Sequence, residues 1–133
     1  MKINLFAAWV GILLGFLSGF ALGAFFHREN WLGGYGSLKR RLYRLAHISF
    51  FGLGAVNLLF YFTAQTVPGS QMLLLASNAF IMGAITMPIC CVLMAHYPNT
   101  RMLFALPVFS LLAGGALTLA AICSHGDFLA INE

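Results

Sequence analysis

Acidic side chains are nearly missing from this chain: three Asp and Glu among 133 residues, against seven Lys and Arg. Charged residues reach 8% in all, where a soluble domain carries roughly a quarter. A core this small cannot hide 61% apolar residues from water, so a soluble globular fold is excluded. Disorder is excluded too, because it needs low hydrophobicity and high charge, and the mean hydropathy is +0.91. Lipid is the remaining solvent.

Signatures of common chemistry are also missing. No Walker loop, HExxH, GxSxG or EF-hand pattern occurs. No Asp, Glu, Lys or Arg falls inside an apolar stretch, so a hydrolytic triad has no acidic member. Proton-coupled carriers depend on ionisable groups inside the membrane, and the lack of Asp, Glu, Lys and Arg there argues against that class. Three cysteines make no CxxC pair, and Cys90 and Cys91, adjacent on a helix, do not face each other. All three are expected free and buried.

The ten charged residues themselves mark the spans: Lys2, Arg28, Glu29, Lys39, Arg40, Arg41, Arg44, Arg101, Asp127 and Glu133. A spanning helix needs roughly 20 apolar residues to cross about 30 Å of hydrocarbon. The uncharged stretches before Arg28 and after Arg101 hold one span each. The 56 uncharged residues between Arg44 and Arg101 hold two, if the chain turns halfway. Val67-Pro68-Gly69-Ser70-Gln71 does so, with Pro and Gly placed as in a type II turn. Stretches such as Leu73-Leu74-Leu75-Ala76 do not alternate, which excludes membrane strands. The expected fold is therefore all-α: a polytopic integral membrane protein with a single transmembrane domain over 1–133. Its four helices, about 4–26, 38–65, 71–96 and 100–124, form an up-down bundle. The first 24 residues have signal-peptide features but are read as the first helix. Pro88 and Pro107 are expected to kink the third and fourth helices.

Basic residues concentrate in the first and third loops, and the second loop has none. The positive-inside rule then places those loops in the cytoplasm and both termini outside, in a cell inner membrane. Trp31, Tyr35, Tyr43 and Tyr97 fall at the cytoplasmic interface, and Ser37 is positioned to cap the second helix. Arg40, Arg41 and Arg44 are expected among anionic lipid headgroups, or on haem propionates. So few charges, next to a membrane, do not suggest nucleic acid.

Ala7, Gly11, Gly15, Gly19 and Gly23 recur every four residues along the first helix. Such a ridge lets backbones approach closely, which drives packing where hydrophobic burial cannot. It predicts a packed helix pair, with its partner either in this chain or in another subunit. Asn57 and Asn78 lie eleven and ten residues from Pro68, so a hairpin brings them to one depth, as an interhelical amide pair. The same argument sets His47 level with Met87, and about 10 Å from the level of His96. His47 with Met87 would be the ligands if this chain held haem b or copper.

The leading functional expectation is a small non-catalytic integral subunit of a larger membrane assembly, with electron-transfer complexes as natural hosts. Its partners would be the bilayer and other membrane subunits, or a second copy through the first helix. The alternatives are a haem b- or copper-binding protein using His47, and an oligomeric pore lined by Asn, Ser and Thr.

Overall fold

The computed structural model describes residues 1–131, with side chains as far as His125. All regular elements among them are helical: α1 Lys2–Phe25, α2 Leu38–Thr66, α3 Gln71–His96 and α4 Ala105–Ile131, with 3-10 turns at Trp31–Gly33 and Pro98–Phe104. Four helices are long and apolar enough to cross a membrane.

Local chemistry sets the boundaries. The Ser37 hydroxyl accepts from the Arg40 amide at 3.1 Å and donates to the Leu32 carbonyl at 2.6 Å, which fixes the start of α2. The chain reaches that cap through Leu32, Gly33 and Gly34, at φ of 55°, 86° and 91°. Two glycines take the left-handed region freely, and Leu32 is held there by its bond from Ser37. The turn between α2 and α3 departs from the sequence expectation. Gly69 does not adopt positive φ, so this is not a type II turn. The helix instead stops at extended Val67, before Pro68, and Ser70 caps α3 by accepting from the Leu73 amide at 3.3 Å.

The two prolines also differ. Pro88 is buried inside α3, where it removes one backbone bond. Pro107 is the third residue of α4, not an interior one. In the first turn its missing N–H has no intrahelical acceptor to lose, so it helps begin the helix and does not kink it.

Neighbours in sequence are antiparallel neighbours in space: α1 packs on α2, α2 on α3, and α3 on α4. Gly11, Gly15 and Gly19 face successively earlier parts of α2, at Phe50 and Gly54, Phe51, and His47. The up-down order therefore holds, but the helices form an open row and not a closed ring. α1 and α4 have at most a marginal contact, and α1 touches α3 far less than it touches α2. Phe60, Leu73, Ala76, Phe80 and Ala121 form the core at the end of the α2–α3 turn, here called the hairpin end. The opposite end, with the α1–α2 loop, is the basic end. Elsewhere the outer faces are apolar and open: Phe6 is 70% exposed, Phe20 82% and Phe109 69%. Such a surface suits lipid and not water.

Candidate functional site

Polar groups gather at three stations along the row. The hairpin end holds Asn4, Asn57 and Ser77, none more than 2% exposed. Asn4 Nδ2 donates to Asn57 Oδ1 at 2.9 Å and to the Ser77 carbonyl at 3.4 Å. The Ser77 hydroxyl donates to Asn4 Oδ1 at 2.5 Å. Asn57 Nδ2 donates to the Leu53 carbonyl at 2.9 Å and the Phe80 carbonyl at 3.5 Å. One cluster thus joins α1, α2 and α3, and among the described residues no buried side-chain nitrogen or oxygen lacks a partner.

This corrects the expected pair. Asn57 is level with Asn78, as the hairpin requires, but Asn78 is exposed on the outer side of α3. One residue of helix turns a side chain by about 100°, and Ser77, not Asn78, points inward. Asn4 was the missed member. Its only signal in the sequence was an amide next to the first apolar run.

The middle station is His47, half-buried against α1. Its Nδ1 lies 2.9 Å from the Ser18 hydroxyl, and its ring makes an edge contact with Phe51 at 5.5 Å between centroids. A Cβ on Gly19 would come within 2.9 Å of His47 Cε1, so the glycine makes room for the imidazole. The neighbours of His47 lie on α1 and on its own helix. Equal depth does not by itself give a shared face, and the contacts of His47 described above are with Ser18, Gly19 and Phe51. Among the described residues, no three His, Cys, Asp or Glu side chains converge as a metal site.

The basic end holds Arg40, which is 1% exposed. Its guanidinium stands 3.8 Å from the centre of the Tyr35 ring, 5.1 Å from Phe26 and 5.7 Å from Trp31. It also donates to the Phe26 carbonyl at 2.9 Å and to the Arg28 carbonyl at 3.5 Å. Ring faces and carbonyls replace water around the cation. Arg40 is thus a clamp that folds the α1–α2 loop onto α2, which corrects its placement among lipid headgroups. Arg41 and Arg44 are exposed and remain free to meet them.

The glycines divide likewise. A Cβ on Gly11 would lie 2.9 Å from the Phe50 carbonyl oxygen, and one on Gly15 would lie 2.7 Å from the Phe51 ring. Gly23 has nothing within 4 Å. The ridge therefore packs on α2 of the same chain from Gly11 to Gly19 and ends there. Cys90 and Cys91 are buried and free, whereas Cys123 is exposed, contrary to expectation.

The chain matches no family model, no curated protein and no solved structure. Function rests on geometry alone. The buried polar groups are bonded to one another or to the backbone: the Asn4–Asn57–Ser77 cluster joins three helices, Arg40 ties the α1–α2 loop to α2, and Ser49 bonds within α2.

Proposed function

We propose that this is a multi-pass protein of the cytoplasmic membrane and a non-catalytic subunit of a larger membrane assembly. One observation carries the second half of that reading. Asn78 lies seven residues into α3, on a face exposed between Leu74, Leu75 and Met82. Among the described residues no hydrogen bond satisfies its side chain. In hydrocarbon an amide without a partner is expensive, and interhelical bonds are the usual remedy. A second membrane polypeptide with a donor or acceptor at that depth supplies it. The internal bonding of the other buried polar groups favours a structural over a catalytic role.

Purification in mild detergent tests it. The wild-type chain is expected to copurify with a distinct membrane polypeptide in fixed ratio, and Asn78→Leu to lose that partner while its own helix content is unchanged. Recovery of the wild-type chain alone would count against an assembly. The proposed orientation puts both termini outside and the basic end in the cytoplasm. In a Cys123→Ala background, a cysteine at Ser70 should label in intact cells, and one at Gly36 only after permeabilisation. Labelling of the Gly36 position from outside reverses the topology.

A further inference from the structure

The open row leaves a lateral groove of about 700 Å³, with α2 as its floor and α1 and α3 as its walls. That volume is within the roughly 300–1,000 Å³ of ordinary small-molecule sites. Val10 and Leu14 line one wall, Ile85, Ile89 and Val92 the other, and Phe50 the floor. No polar side chain lines it.

Length selects the occupant. On α3 the lining runs from Ile81 to Leu93, about 18 Å at roughly 1.5 Å per residue. A transmembrane helix needs about 30 Å. At the hairpin end the Asn4–Ser77 bonds tie α1 to α3 across the path such a helix would follow. An acyl chain of one leaflet fits a groove of this length and lining.

The polar end of that lipid is also marked. Tyr43 and Lys39 precede the lining residue Ala46 by three and seven positions, which keeps them on the groove face of α2. His96 follows Leu93 by three on α3, and Tyr43 Oη lies 2.9 Å from His96 Nε2, joining floor to wall. Arg41 and Arg44 project from other faces of α2, and Arg40 is enclosed by its rings. By this spacing Lys39 is the α2 cation on the groove face at the basic end.

We propose that the groove is a lipid site. It holds one acyl chain of an anionic phospholipid from the leaflet at the basic end, with the phosphate against Lys39 and the Tyr43–His96 pair. This rests on the membrane reading above.

The test uses the full chain in phosphatidylcholine vesicles doped with phosphatidylglycerol that carries a diazirine at its acyl terminus. Flotation with the vesicles comes first, and a chain that does not float overturns the membrane reading itself. For a floating chain, photolabel is expected to concentrate on Ile85, Ile89 and Val92 over Phe109 and Leu112, which face outward on α4. Ala84→Phe and Ile89→Trp fill the groove from different positions, and each should reduce groove labelling to the α4 level. Lys39→Gln should lower the preference for phosphatidylglycerol over the matching phosphatidylcholine probe about fivefold. Even labelling of all outer faces by a chain that floats, or groove labelling that survives both filling variants, overturns the lipid site and leaves the membrane reading standing.

Discussion

The first helix pair and the last both pack through glycine, but they use it differently. Between α1 and α2 the contact is backbone to backbone at Gly11 and Gly54, while Gly15 and Gly19 seat the Phe51 and His47 rings. A Cβ on Gly11 would meet the Phe50 carbonyl oxygen at 2.9 Å, and one on Gly54 would meet the Ala8 carbonyl oxygen at 3.1 Å. Between α3 and α4 the glycines are sockets for side chains. Gly83 receives Leu111, and the Phe80 ring lies 3.0 Å from where a Cβ on Gly114 would be. The α3–α4 pair is also pinned by the Ser110 hydroxyl, which donates to the Ala79 carbonyl at 2.6 Å. A side chain in a socket has other rotamers, whereas a carbonyl in a helix can move only with its helix. The same residue type thus sets backbone spacing at Gly11 and Gly54 and makes room for side chains elsewhere in both pairs. Lipid tails are as apolar as leucine, so in the proposed membrane setting both pairs would depend on fit and not on hydrophobic burial.

Substitutions can break that contrast. The largest effect is expected from Gly11→Leu, which forces two backbones apart and should cost about 3 kcal/mol or more. Denaturant unfolding in micelles, followed by circular dichroism, measures it. A loss below about 1 kcal/mol would show that α1 does not rest on α2 as described. Gly83→Ala should cost less, on the order of 1 kcal/mol, because Leu111 can change rotamer. Pairing it with Leu111→Ala sharpens the point: the double variant should lose less than the sum of the two single losses, since the smaller side chain accommodates the methyl. Strict additivity would mean that Leu111 does not occupy the socket. The smallest effect is expected from Gly23→Leu, within about 0.5 kcal/mol, as no atom stands within 4 Å of its Cβ position. A large loss there would extend the ridge into contacts the structure does not contain.

Several features follow from the sequence alone. Charge spacing places the four helices, because hydrocarbon tolerates neither ionised side chains nor unpaired backbone over a span. α2 and α3 come within one residue of their expected bounds, Leu38–Thr66 and Gln71–His96. Ser37 caps α2, as a hydroxyl before a helical run should. Four-residue glycine spacing marks the packed face of α1, although not which helix lies against it. These are properties of one segment and its solvent, and one segment's residues decide them.

What the tertiary structure decided is where side chains point once helices meet. Counting from Pro68 gives the depth of Asn57 but not its azimuth, so it named Asn78 where the fold uses Ser77 and Asn4. Arg40, Arg41 and Arg44 look alike in a basic run, yet only Arg40 meets the rings of Phe26, Trp31 and Tyr35, which are ordered by a loop with three left-handed residues. The open row and its groove are also invisible in any single helix. They arise because α1 has close-packing glycines for α2 and only the Asn4–Ser77 bonds for α3, so the two outer walls meet at one end and leave the rest uncovered.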